Sequence, residues 1–224
     1  MSKKKQKASR QGSGFFRFIY ATLSGVVGLL FRIKVVNAHN EPEKGGYMVC
    51  ANHVSATDPI VISYAFRKNQ VHFMAKKELF KIPLLSGFFR MLGAFPVDRG
   101  GSDVGAIRKA VALINEGKAM GIFPQGHRYP EQNPRDTQVK NGAALIAART
   151  QASVVPVYIW RKGNKMKLFR RTYVIIGEMI PFESFGYDKS ESGAYAKITD
   201  TVFDRICTLG EGFDVDTYKK EGKR

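Results

Sequence analysis

Cysteine is scarce, with only Cys50 and Cys207 in 224 residues. Two cysteines so far apart form neither a disulfide framework nor a zinc cluster. A reduced, cytosolic setting suits them best. The four histidines, His39, His53, His72 and His127, lack the helical or short-loop spacing of a zinc site. The chain has no G-x-S-x-G turn to present a serine nucleophile and no GKS or GKT loop to cradle a nucleotide phosphate. It also lacks an internal repeat, and no low-complexity linker marks a boundary after residue 40. These absences argue against a disulfide scaffold, a zinc enzyme, a P-loop nucleotidase and a serine hydrolase of the elbow type.

Acidic residues are missing from positions 1–40, where Lys3, Lys4, Lys5, Lys7, Arg10, Arg17, Arg32 and Lys34 all fall. Residues 18–31 of this stretch form an uncharged run. As a helix those fourteen residues would extend only about 21 Å, short of the roughly 30 Å hydrocarbon core. Arg32 and Lys34 flank its far end, and no small-residue cleavage site follows. Cations on both sides suit a segment that dips into one leaflet and keeps both ends among anionic headgroups. Residues 1–40 are therefore expected to be a basic anchoring segment on the cytoplasmic face of the cell membrane. A buried core helix with a solvated basic tail is the alternative.

The whole chain carries 36 Lys and Arg against 19 Asp and Glu, a net charge of +17. Such an excess implies an acidic partner: nucleic acid, anionic lipid or a phosphorylated substrate. Nucleic acid fits poorly, because neither a recognition helix nor an aromatic-basic sheet motif is present.

After residue 40 the pattern predicts one domain, 41–224. Apolar runs at 33–36, 47–51, 71–75, 93–97, 119–123, 154–160 and 172–177 read as strands. Helical patterns at 59–66, 83–91, 102–116, 139–150 and 192–209 alternate with them, the third capped by Ser102. Alternation of this kind predicts an α/β fold, a mixed and largely parallel sheet flanked by helices, with the amino-terminal membrane-anchoring segment attached. Gly163-Asn164 is a turn signal that predicts a hairpin between the last two strands. The six cations at 161–171 read as a solvated face, or as a site for a specific anion or a membrane surface.

The chemistry concentrates at the ends of predicted strands. Asn52-His53 follows the run 47–51, and Asp58-Pro59 opens the next helix. A histidine within reach of a carboxylate is a general base with an orienting partner, although Asp58 could equally be a plain helix cap. Cys50, beside this pair, is a nucleophile or a small buried hydrophobe. Arg99 lies two residues past the strand 93–97, followed by Gly100-Gly101, and its planar fork of donors fits a phosphate. Pro124-Gln125-Gly126-His127-Arg128 follows the strand 119–123, and Lys140 stands at a helix start. Parallel strands would bring His53, Arg99 and Arg128 to one edge of the sheet, where α/β folds bind ligands.

Asn52-His53-x4-Asp58 resembles the NHx4D signature of the lysophosphatidic acid acyltransferase family. Three further blocks follow in order within residues 52–159. Lys77–Pro83 with Gly93–Arg99 resembles the second motif. Phe123-Pro-Gln-Gly-His-Arg128 resembles the FPEGTR motif, with Gln125 in place of glutamate and His127 in place of threonine. Val154-Val-Pro-Val-Tyr-Ile159 is similar to the proline-containing strand. The resemblance implies transfer of a fatty acyl group from an acyl thioester to the 2-hydroxyl of 1-acylglycerol 3-phosphate, giving phosphatidic acid. His53 would act as base and Asp58 as its partner, and Arg99, Arg128 and Lys140 would hold the phosphate. It implies no metal and no cofactor, with acyl-CoA or acyl carrier protein as donor substrate. Glycerol 3-phosphate or another lysolipid is the nearest alternative acceptor. A non-catalytic basic membrane- or nucleic-acid-binding protein is the alternative from another class.

Overall fold

The computed structural model describes residues 25–97 and 104–221. Arg99, Gly100, Gly101 and the Ser102 cap lie outside the described residues, as does residues 1–24 of the anchoring segment. Residues 25–31 are helical, here α1. Among the described residues no helix is long and apolar enough to cross a membrane.

Seven strands follow: β1 (Ile33–Val36), β2 (Met48–Ala51), β3 (Val71–Lys76), β4 (Phe95–Val97), β5 (Ala119–Ile122), β6 (Val154–Trp160) and β7 (Thr172–Ile176). They form one sheet in the order β1-β7-β6-β2-β5-β3-β4. All its pairings are parallel except β6 with β7. The expected runs 33–36 and 154–160 coincide with β1 and β6, and the other five shift at an end. The largest shift is at β4, where Gly93 adopts φ +82°, a turn conformation that cannot start a strand.

The helices are α2 (Asp58–Ala65), α3 (Pro83–Met91), α4 (Val104–Asn115), α5 (Gly142–Thr150), α6 (Ala194–Glu211) and α7 (Val215–Glu221). The last, at seven residues, is too short to show a helical period and was not expected. Lys140 falls two residues before α5 rather than inside it.

The central strand explains the layers. Met48 and Cys50 of β2 face a cluster with Leu113 of α4, Ile146 of α5 and Ile198 of α6. Val49 and Ala51 face the opposite cluster with Val61 and Ile62 of α2 and Phe31 of α1. Both faces of the sheet are covered, so its strands are continuous apolar runs rather than alternating ones.

The site follows from strand direction. Cys50 pairs with Ile122 of β5, and Ala51 with Val157 of β6, both parallel. The chain therefore leaves β2, β5 and β6 at the same edge. Only after β6 does it reverse, through Gly163 (φ +67°) and Asn164 (φ +48°), into antiparallel β7. The predicted hairpin is present, and both turn residues take left-handed backbone.

Candidate active site

At the end of β2 the buried Asn52 replaces the next rung of the ladder. Its Nδ2 donates to the Ile159 carbonyl (3.2 Å), and its Oδ1 accepts the Ile159 N–H (2.7 Å). This amide clamp ties the exit of β2 to β6 and fixes where His53 begins. The His53 backbone is then held twice by the segment after β5. Its N–H donates to Gln125 Oε1 (2.6 Å), and its carbonyl accepts the Tyr129 N–H (2.9 Å). Its ring stacks on Phe123 at 4.0 Å and 14°, and Phe123 stacks in turn on Phe73.

His53 Nδ1 lies 2.8 Å from Asp58 Oδ2. A carboxylate only accepts, so in the neutral imidazole Nδ1 carries the proton and Nε2 the lone pair. Among the described residues Nε2 has no partner. His53 lines a cavity of about 250 Å³ whose floor is Met74, Val97, Gly121, Ile122 and Phe123, with Gly126 and Lys140 at its side. Lys140 is held there through its backbone, its N–H donating to the Pro124 carbonyl (2.8 Å). Its side chain passes over Gly126, where a Cβ would come within 3.0 Å of Lys140 Cδ and the backbone has φ +73°. Only glycine fits that turn without strain.

Asp58 is fully buried. Its Oδ2 also accepts the N–H groups of Val54 and Ser55, each at 2.8 Å, and Arg161 Nη1 lies 2.6 Å from Oδ1. Burial pushes this carboxyl upward in pKa. The His53 hydrogen bond, the Arg161 charge and the Ser55 N–H outweigh it and hold Asp58 below the ordinary carboxylate range. Asp58 is the first residue of α2, after Thr57, rather than its cap, and its side chain turns back to the loop that carries His53. The cap reading thus gives way to that of an orienting partner.

Gln125 is also buried. Its Nε2 donates to Thr137 Oγ1 (2.7 Å), and the Thr137 hydroxyl donates on to the Pro134 carbonyl (2.7 Å). An amide is suited to this place, accepting from His53 and donating to Thr137. The glutamate of the FPEGTR pattern has no proton for the second contact when ionised. His127 is exposed, lies against Tyr129 with ring centroids 4.2 Å apart, and does not line the cavity. Arg128 is exposed on the same loop, without a side-chain partner among the described residues. Cys50 is fully buried and does not line the cavity, and burial pushes its thiol up to about 12, which argues against it as the nucleophile. Among the described residues no group of three or more His, Cys, Asp or Glu side chains could hold a metal ion.

Arg161 was missed as a member of the site. It looked like the first of six cations on a solvated loop, yet its side chain is 2% exposed, bound to Asp58 and, through Nε, to Thr172 Oγ1 at 3.3 Å. The signal that could have found it is the one that found His53 and Arg128: it immediately follows a buried strand at the same edge of the sheet.

A family model described as Acyltransferase matches residues 32–160. The chain is 31% identical over 201 residues to the 1-acyl-sn-glycerol-3-phosphate acyltransferase of Bacillus subtilis, covering 89% of this chain and 98% of that one. It is 34% identical over 150 residues to the enzyme of the same name from Streptococcus pneumoniae, covering 63% of this chain and 54% of that one. In three dimensions it is similar to the crystal structure of the 1-acyl-sn-glycerophosphate (LPA) acyltransferase PlsC from Thermotoga maritima. The TM-score is 0.62 at 21% identity, over 90% of this chain and 95% of the other, a likeness of fold.

Proposed function

The chain belongs to the acyltransferase family, with 1-acyl-sn-glycerol-3-phosphate acyltransferases among its relatives, and on that premise we propose that it acylates the 2-hydroxyl of 1-acyl-sn-glycerol 3-phosphate to give phosphatidic acid. The observation that carries this reading is the buried chain Arg161–Asp58–His53, which leaves Nε2 unpartnered on a residue that lines the cavity. The acceptor hydroxyl gives its proton to Nε2 as its oxygen bonds to the thioester carbonyl carbon. General-base action of this kind contributes about 10² to 10⁴-fold. Asp58 holds the tautomer and stabilises the imidazolium. The tetrahedral adduct then collapses, the C–S bond breaks, and the leaving thiolate takes the proton from His53. No acyl-enzyme forms.

Lys140, beside the cavity, and Arg128, on the loop that follows Gly126, bind the acceptor phosphate together with Arg99. The apolar floor of Met74, Val97 and Ile122 suits alkyl groups near the reacting carbon. The donor is an acyl thioester of coenzyme A or of acyl carrier protein. The basic segment 1–40 holds the enzyme to the cytoplasmic face of the membrane, where the acceptor is dissolved.

The test is transfer of radiolabelled acyl groups from a thioester to 1-acylglycerol 3-phosphate, with glycerol 3-phosphate and other lysolipids in parallel. Label is expected in phosphatidic acid for wild type and not for His53→Ala. Label only in another acceptor would overturn the substrate and leave the chemistry standing. Label in none of them would favour a non-catalytic binding protein.

A further inference from the structure

The net charge of +17 is concentrated in two stretches. Residues 1–40 and 137–177 each carry eight cations and no acid, so together they hold sixteen of the 36 cations and none of the 19 acids. The remaining 20 cations and 19 acids nearly cancel.

The fold lays these two stretches side by side. β1 pairs with β7 along its length, Ile33 opposite Thr172 and Val36 opposite Ile175. Just before that ladder the Phe169 N–H donates to the Leu30 carbonyl at 2.7 Å, and Met166 packs on the same buried cluster as Val27 and Leu30 of α1. The loop from β6 to β7 is thereby seated on the end of the amino-terminal helix.

The loop has a particular chemistry. Its inner side chain, Met166, is anchored, while Leu168 and Phe169 face solvent at 52% and 59% exposure. Phe169 is held outward on left-handed backbone, φ +61°. A large aromatic in that conformation is uncommon, and a polar residue or glycine would hold it with less strain. Lys167, Arg170 and Arg171 flank the two apolar residues, are exposed, and have no ion pair among the described residues. Apolar side chains at a tip ringed by free cations match a phospholipid leaflet: acyl chains for the former, phosphates for the latter. The occupant must also be acidic, which argues against residues 1–24, whose charges are all positive.

The loop leaves the sheet at the edge where His53 stands, since β6 runs parallel to β2. We propose that residues 165–171 form a second membrane contact, with Leu168 and Phe169 entering an anionic leaflet and Lys167, Arg170 and Arg171 binding its phosphates. This contact turns the catalytic edge of the sheet toward the bilayer. It rests on the membrane association proposed above but is carried by different residues.

The experiment uses the full chain and two kinds of vesicle, phosphatidylcholine alone and phosphatidylcholine mixed with phosphatidylglycerol. Wild type is compared with Leu168→Gln/Phe169→Asn and with Lys167→Gln/Arg170→Gln/Arg171→Gln. Partition onto the anionic vesicles should fall by roughly fivefold for each cation removed, and both variants should keep the wild-type thermal midpoint. Wild type that fails to bind either vesicle would remove the membrane reading as a whole. Wild-type binding matched by both variants would overturn the loop contact alone. A direct readout is available because Cys50 and Cys207 are both buried. Leu168→Cys labelled with an environment-sensitive fluorophore should shift to the blue on anionic vesicles and not on neutral ones. A shift that instead follows protein concentration without vesicles would make the patch a contact between copies of the chain and overturn the proposal.

Discussion

Asp58 shows how one buried charge is made tolerable. Four donors meet its two oxygens, and one of them, Arg161, carries a full opposite charge. Removing one partner of a buried ion pair costs about 3–5 kcal/mol. At roughly 2–4 °C per kcal/mol for a chain of this size, Arg161→Met should lower Tm by about 10 °C. It should also lower kcat when measured well below that reduced Tm, where a purely structural cation would leave kcat unchanged. The sign of the pH effect on stability follows from the depressed pKa of Asp58. Its stabilisation is complete above the unfolded value of about 3.9 and is lost as pH falls through the lower folded value. Urea unfolding of wild type should therefore weaken on that descent, and Asp58→Asn should lack this component. Gln125 makes a different point. Gln125→Glu keeps an acceptor for the His53 N–H, and the Thr137 hydroxyl can turn from Pro134 to the new carboxylate. The change should cost about one hydrogen bond, ~1 kcal/mol. Gln125→Leu strands the buried N–H, costs about 1–3 kcal/mol and should lower kcat more than Gln125→Glu. Equal kcat values for the two would show that the strut has no catalytic consequence. His53 and Asp58 were legible as a pair because their chemistry is local, five residues apart. Arg161 was not, because a cation's burial depends on what folds over it, and its partner lies 103 residues away.

At the scale of elements, β3, β4 and β5 supply the floor of the cavity, and the turn after β2 carries the proposed base. Gly121 of β5 has no room for a side chain, since a Cβ would stand 2.2 Å from Phe73 Cε1. The Phe73 ring is one end of the stack that continues through Phe123 to His53. Gly121→Val should push that stack aside, with an overpacking cost of about 1–3 kcal/mol and a fall in kcat beyond what the loss of stability explains. A wild-type kcat in this variant, measured well below its Tm, would show that the stack does not position the base. The strands themselves were legible, since strands buried on both faces are uninterrupted apolar runs. Their ends were less so, being set by neighbours: β2 starts at Met48 rather than Tyr47, and β5 stops at Ile122, one residue before Phe123 turns to His53. The Asn52 clamp on Ile159 could not be read from sequence either. The motif shows that an asparagine is there, and only the neighbour relation of β2 and β6 shows what it holds.

On the scale of the molecule, the α/β class, the mostly parallel sheet and the closing hairpin were legible, because alternating patterns and a turn dipeptide suffice for them. The strand order was not, because β2 lies between β5 and β6, its neighbours in space but not in sequence. That order also has a consequence in time. Asn52 and Asp58 are synthesised long before Ile159 and Arg161, 107 and 103 residues further on. At about 5–20 residues per second, the interval is roughly 5–20 s. Throughout it the nascent chain displays the whole Asn52–Asp58 signature while Asp58 has neither its counter-ion nor its burial. On the proposed mechanism the growing polypeptide is an unfinished catalyst, armed only once β6 and Arg161 have left the ribosome.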